Sequence, residues 1–333
     1  MDIKHTLHSL NACHGPSGDE GRIAVALKLL AAPYADECWT DTLGNLIVHR
    51  KGSGAKLLFS SHMDSVGFIV THIDEKGFLR FGRLGGLSAP ELLATPLRFK
   101  NGTRGMVALD GNVEPKDMKL DDLYIDIGAR DREEALSIIR VGDTAVYDTP
   151  CFISGDRIVS PYLDNRIGCV ALLMALERLS QTENDLYFVF SVQEELGLRG
   201  ARTAAYGIDP DYGVAVDVTC PDDELGSDHS GSTQLGKGAA IKVMDHSVIC
   251  HPEMVRRLSS LAAERGISVQ LDVLRSGGTD AGAIHQTRAG VMTGGISIPC
   301  RYTHMPLEMA DLRDVEACAA LAAAFAEAPL PRL

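Results

Sequence analysis

The stretch Leu186-Tyr187-Phe188-Val189-Phe190-Ser191-Val192-Gln193-Glu194-Glu195 sets an apolar run directly against two adjacent carboxylates. The run from Leu186 to Val192 reads as a buried strand. Successive side chains on an extended chain point to opposite faces, so Glu194 and Glu195 face apart unless the backbone turns. One carboxylate of such a pair can hold a metal ion while the other moves protons. An isolated Glu-Glu pair is ordinarily a solvated face. Here other potential ligands end similar apolar runs elsewhere in the chain.

Working outward, the α/β alternation continues on both sides of this strand. A helix over 165–179 precedes it and a helical piece over 200–206 follows. Strands are expected at 212–216, 239–243, 269–273 and 291–298, with helices at 253–265, 280–286 and 312–327. Towards the N-terminus, an amphipathic first helix places Ile3, Leu7 and Leu10 on one face. A helix over 20–32 follows the Gly15-Pro16-Ser17-Gly18 turn, and strands follow at 46–50 and 56–61. Residues 66–152 change character, with many short β-like pieces, frequent glycine and one helical patch at 131–139. That pattern predicts a small barrel or sandwich. The fold expected is an α/β domain, residues 1–65 and 153–333, interrupted by an inserted β domain, residues 66–152.

Composition excludes several classes. The 333 residues are 45% hydrophobic, ample for a large core and a smaller one. Forty-five acidic against 32 basic residues give a net charge of −13, with no basic run to track a phosphate backbone, so no nucleic-acid partner is expected. Neither a signal-peptide core nor a membrane-length apolar stretch is present. The eight cysteines, at 13, 38, 151, 169, 220, 250, 300 and 318, include no CxxC pair and read as reduced thiols of a cytoplasmic protein.

Acidic and imidazole groups collect at expected strand ends. His62 and Asp64 follow Leu57-Leu58-Phe59-Ser60-Ser61, Asp217 follows Val214-Ala215-Val216, and His304 comes shortly after the 291–298 strand. Asp164 instead precedes a helix. Sites in open α/β sheets gather outside the carboxyl ends of strands, so groups this far apart in sequence can converge. Imidazole with carboxylate suits Zn²⁺, Co²⁺ or Mn²⁺. Five ligands including one bridging carboxylate suffice for two ions, and one further carboxylate must stay free to take a proton from water.

Six stretches carry a family resemblance: Ser61-His62-Met63-Asp64, Tyr162-Leu163-Asp164-Asn165-Arg166, Gln193-Glu194-Glu195-Leu196-Gly197-Leu198-Arg199-Gly200-Ala201, Asp217-Val218-Thr219, Ser276-Gly277-Gly278-Thr279-Asp280-Ala281-Gly282 and Arg301-Tyr302-Thr303-His304. In this order they resemble the signature of the M42 family of metallo-aminopeptidases. The resemblance implies a mixed-sheet catalytic domain of the zinc-exopeptidase type. It implies two divalent ions, zinc or cobalt with manganese also tolerated. Asp164 would bridge them, His62 and Asp217 would complete one shell, and Glu195 and His304 the other. Glu194 would be the general base and then the acid, and Asp64 would orient His62. The substrates implied are short peptides with a free N-terminus. The insertion would be a dimerisation domain, with dimers assembling into a tetrahedral dodecamer. Ser65 departs from the acidic residue that often follows the HMD string, at a position that is not a metal ligand.

Other features are weaker. Thr279 is a plausible N-cap after the Gly277-Gly278 turn, and the resemblance places this loop near a substrate pocket. Gly85-Gly86 and Gly294-Gly295 match no nucleotide loop, and no GxSxG elbow occurs. The histidines at 5, 8, 14, 49, 72, 229, 246, 251 and 285 have no paired spacing and read as surface or core residues. Asp222-Asp223-Glu224 reads as a solvated acidic loop. Two alternatives stand beside the peptidase: a metal-dependent deacylase with the same site, and a non-catalytic metal-binding scaffold. Adjacency of Glu194 and Glu195 does not suit two carboxylates flanking a glycosidic bond.

Overall fold

Four apolar strands, all running the same way, fix where a site can form. A computed structural model describes residues 1–227 and 232–333; His229 lies outside the described residues. In chain order the first strands are β1 (Glu37–Thr40), β2 (Leu46–Arg50) and β3 (Lys56–His62). Six short ones follow: β4 (Gly67–Ile73), β5 (Leu79–Leu84), β6 (Pro96–Phe99), β7 (Arg104–Leu109), β8 (Leu123–Asp126) and β9 (Thr144–Tyr147). The rest are β10 (Phe152–Ser154), β11 (Arg157–Ser160), β12 (Asp185–Ser191), β13 (Tyr212–Thr219), β14 (Ala239–Met244), β15 (Val269–Val273), β16 (Met292–Arg301) and β17 (Glu308–Asp311).

Among the described residues, eleven strands form one mixed sheet in the order β1-β2-β12-β3-β13-β16-β17-β11-β10, with β14 and β15 branching from β16. Its centre, β12-β3-β13-β16, is parallel throughout. Parallel strands are covered on both faces, which explains why every residue of β13 is buried. Period-two alternation splits β3 between two cores. Leu57 and Phe59 join the larger one, with Leu172 of α5 (Leu163–Arg178) and Phe325 of α9 (Leu312–Glu327), while Leu58 packs with Ala201 and Ala204 of α6 (Arg199–Ile208) on the other face. The larger core also takes Leu7 of α1 (Ile3–Asn11), Ile23 of α2 (Gly21–Ala31) and Met254 of α7 (Pro252–Arg265). The smaller takes Ile284 of α8 (Ala281–Ile284).

Strands β4 to β9 close a barrel in the order β4-β5-β8-β7-β6-β9, resolving the barrel-or-sandwich alternative. Closure removes the unpaired edges such short strands would otherwise expose. The barrel and two short helices, α3 (Ala89–Leu92) and α4 (Arg132–Ile138), share their own core, including Phe68, Leu97, Phe99, Val107 and Ile125. Tyr162, just before α5, enters it from outside and stacks on Tyr147 of β9 with centroids 5.5 Å apart.

Some expectations shift. Strand β13 runs on to Thr219 because it pairs with β16 to that point, so Asp217 lies inside a strand instead of after it. The helix expected over 280–286 shortens to Ala281–Ile284, and Thr279 does not cap it; its hydroxyl donates to Asp245 Oδ2 at 3.1 Å. The 222–224 segment is not simply solvated, since Asp223 accepts from Arg301 Nε at 2.8 Å and from the Leu235 amide at 2.9 Å. The eight cysteines are all free. Among the described residues no helix is long and apolar enough to cross a membrane.

Candidate metal centre

Parallel order in the sheet centre places the carboxyl ends of β12, β3, β13 and β16 side by side. His62 is the last residue of β3, Asp217 lies near the end of β13, and Glu194 and Glu195 follow β12. His304 follows β16 at positive φ, 70°. Asp164 enters from the start of α5, where it and Asn165 are not yet helical, and the peptide bond between them is cis. These six side chains line one cavity of about 500 Å³. Asp64 sits behind it, fully buried.

The distances divide the cluster in two. Asp164 Oδ1 is 3.0 Å from His62 Nε2, and Asp164 Oδ2 is 3.2 Å from His304 Nε2. On the first side Asp217 Oδ1 is 3.6 Å from His62 Nε2; on the second Glu195 Oε2 is 3.3 Å from His304 Nε2. Glu194 Oε2 stands 3.9 Å from His62 Nε2. One atom each of His62, Asp164 and Glu195 lie within 4.8 Å of one another. The other ring nitrogen of His62, Nδ1, is 3.2 Å from the Asp64 carbonyl oxygen and 3.4 Å from Asp64 Oδ1, the arrangement that directs a lone pair from Nε2 into the cavity. Glu195 Oε1 is buried without a hydrogen-bond partner among the described residues. Lone pairs of imidazole and carboxylate converging on one space, with a carboxylate oxygen left over, fit divalent cations.

The turn after β12 resolves the Glu194/Glu195 adjacency. Gln193 takes positive φ, 53°, and Glu194 O accepts from the amides of Gly197 at 2.8 Å and Leu198 at 2.9 Å. Asp64 collects the result: Oδ1 accepts from the Glu194 amide at 3.0 Å and Oδ2 from the Glu195 amide at 3.4 Å, with the Ser17 hydroxyl at 2.5 Å. Glu20 Oε1 accepts from the Gln193 amide at 3.1 Å and the Gly18 amide at 2.7 Å. Asp280 is fully buried behind the centre, where its Oδ2 accepts the hydroxyls of Ser60 on β3 and Ser191 on β12, each at 2.5 Å. Ser17, Glu20 and Asp280 tie together elements that carry cluster residues, yet no spacing rule separates them from ordinary turn or cap residues.

Glu308 is the largest omission of the sequence reading. Its Oε2 accepts from the Asp164 amide at 2.8 Å and its Oε1 from the His304 amide at 2.7 Å, so one buried carboxylate spans two cluster residues. The barrel contributes as well. Tyr147 Oη donates to the His304 carbonyl at 2.9 Å. A Cβ on Gly86 would lie 2.9 Å from His304 Nδ1, and one on Gly85, at φ 87°, would lie 2.9 Å from Glu195 Oε2. The Gly85-Gly86 pair is thus a close backbone approach to the cluster.

Crowded charge governs the electrostatics. Burial opposes the His62 imidazolium, yet Glu194, Asp217 and Asp164 hold its pKa well above the usual imidazole range. His304 is raised to about 12, with Glu195 and Asp164 outweighing burial. Burial pushes the Glu194 carboxyl well up, assisted by Asp217, Glu195 and Asp280. Asp217 is raised, chiefly by burial, to about 7. Asp164 alone is lowered, because His304 and His62 overcome its burial. Protons held this tightly are the ones a cation displaces when ligands bind it.

The fold is shared with solved peptide hydrolases. Over 315 residues the chain is 45% identical to a protein of Acetivibrio thermocellus named a putative aminopeptidase, covering 94% of this chain and 95% of that one. It is 39% identical over 310 residues to the lysyl aminopeptidase of Pyrococcus furiosus, covering 88% and 87%. Among solved structures, an aminopeptidase from Desulfurococcus kamchatkensis superposes with a TM-score of 0.94 at 39% identity, over 98% of this chain and 94% of that one. The Pyrococcus horikoshii TET1 peptidase, which can assemble into a tetrahedron or a large octahedral shell, gives 0.88 at 32% identity over 98% and 99%. The protein is a peptide hydrolase of the aminopeptidase class. The profile of the M42 glutamyl aminopeptidases matches residues 44–321, and the chain belongs to that family.

Proposed function

We propose that this chain is a dinuclear metal-dependent aminopeptidase that releases N-terminal residues from short peptides. The observation that carries the reading is Asp164, whose two oxygens face two different histidines at 3.0 and 3.2 Å. In this reading His62, Asp217 and one oxygen of Asp164 would hold one ion, and Glu195, His304 and the other oxygen the second. Two divalent ions, zinc or cobalt with manganese tolerated, would supply a lowered proton affinity for water and polarisation of the scissile carbonyl. Glu194 is left outside both sets, and burial gives its carboxyl a raised proton affinity. It accepts a proton from the attacking water and delivers it to the leaving amine. Asp64 acts on geometry: it holds the His62 tautomer through Nδ1 and fixes the backbone of Glu194 and Glu195 through their amides.

Residues 1–65 and 153–333 are taken as the catalytic domain and 66–152 as an inserted dimerisation domain. Dimers would build a larger closed shell of the kind the Pyrococcus horikoshii relative can form. The free thiols accord with a cytoplasmic protein. The test is reconstitution. Metal-free protein should be inert and regain cleavage of aminoacyl-anilides on addition of Zn²⁺ or Co²⁺. Hydrolysis of N-acyl amino acids with none of free-amino peptides would replace the peptidase by a deacylase. Bound metal with no hydrolysis of either would leave a scaffold.

A further inference from the structure

The cavity extends beyond the cluster, and its remaining walls carry no fixed charge among the described residues. Leu198, Val218 and Leu274 supply apolar surface, and the rest is uncharged: glycine backbone, the Cys220 thiol, one serine and three threonines. His246 is the one imidazole on this wall among the described residues, and its exposed ring offers a hydrogen bond.

Two cations close to this wall, Lys242 and Arg301, are already committed, and Arg275, exposed beside Leu274 in the chain, is not among the residues that line the cavity. Lys242 is buried behind the wall residue Thr219, donates to its hydroxyl at 3.3 Å, and lies 2.5 Å from Asp272. Arg301 donates to Asp223 Oδ1 at 2.8 Å and to the Asp223 carbonyl at 3.1 Å. Neither presents a free charge to the cavity. Glu194, Glu195, Asp164 and Asp217, the carboxylates lining it, all belong to the catalytic cluster.

From this wall we infer that the chain prefers substrates whose first residue has an uncharged, apolar side chain and discriminates against N-terminal glutamate and lysine. The inference rests on the aminopeptidase reading and narrows it. A charged side chain moved from water onto this wall loses hydration and meets no counter-charge there, whereas a leucine or methionine side chain gains burial. The preference differs from the glutamyl activity in the family's description and from the lysyl activity in the name of the Pyrococcus furiosus relative.

The experiment compares kcat/KM for the anilides of leucine, methionine, alanine, glutamate and lysine with the full-length protein loaded with Zn²⁺ or Co²⁺. Leucine and methionine should exceed glutamate and lysine by about 30-fold or more, within the range one mismatched side chain commonly produces. Glutamyl or lysyl anilide cleaved as well as leucyl anilide overturns this inference and leaves the aminopeptidase reading intact. No cleavage of any member overturns that reading and the inference with it. Leu274→Lys tests the wall itself: the glutamyl-to-leucyl ratio should rise about tenfold as a counter-charge is supplied. An unchanged ratio in a folded, metal-loaded variant means this wall does not receive the side chain, and the inference fails.

Discussion

Replacing Glu308 by glutamine should weaken the metal centre without touching a proposed ligand. The carboxylate accepts the Asp164 amide at 2.8 Å and the His304 amide at 2.7 Å, and it is 1% exposed. Burial, with Asp164 adding to it, pushes this carboxyl well up. Both oxygens nevertheless receive N–H groups, which suits the ionised form. Hydrogen bonds to a charged group contribute about 1.5–3 kcal/mol each, against about 1 kcal/mol for neutral ones. Glutamine keeps one acceptor oxygen and turns an NH₂ towards the other amide, so one bond weakens and the second becomes a clash of donors. The loss comes to about 2–4 kcal/mol, shared between folding stability and the positions of Asp164 and His304. Supporting partners of metal ligands commonly change affinity 10- to 100-fold. Glu308→Gln should therefore bind zinc about 10- to 100-fold more weakly, read by competition with a chromophoric chelator, while circular dichroism stays native. Affinity and kcat/KM within twofold of wild type would refute the positioning argument.

Two further outcomes follow from the geometry. Gly86→Ala should lower kcat/KM by about tenfold or more, because its Cβ would lie 2.9 Å from His304 Nδ1 and displace the ring of a residue whose backbone Glu308 and Tyr147 hold in place; steady-state kinetics at saturating metal checks this. His14 predicts a pH dependence of stability: burial lowers its pKa to about 4 despite Asp19, with Lys100, Arg98 and Arg22 adding to the fall. A folded-state pKa below the unfolded value of about 6.5 favours the neutral form, so this contribution is complete above pH 6.5 and lost as pH falls towards 4. Urea unfolding of wild type and His14→Gln should differ by about 2 kcal/mol less at pH 4 than at pH 7, after allowance for solvent screening.

Legibility of the fold in the sequence followed periodicity. Strand β12 and helix α9 are defined by patterns that need no partner, and α9 spans Leu312–Glu327 as expected. Strands β1, β10, β11 and β17 are not expected from the sequence, since each has three or four residues and exists through its neighbours. Asp217 looked like a strand end because a charge usually stops an apolar run; pairing with β16 carries the strand past it while the side chain turns into the cavity. The cluster residues stood out through their strand-end placement and family strings. Glu308 did not, because its role comes from two backbone amides that the fold brings to it. Gly85 and Gly86 carried a visible signal, a double glycine, whose meaning depends on the barrel resting against the centre.

Metal content and turnover of Glu194→Gln beside Glu195→Gln test the central claim most directly. Glu194→Gln should retain two ions per chain and lose kcat by about 10³-fold, as expected when a proton carrier is removed from an intact site. Glu195→Gln should lose affinity for one of the two ions. A Glu194→Gln protein that sheds an ion, or turns over at the wild-type rate, would contradict the division of labour between the adjacent glutamates.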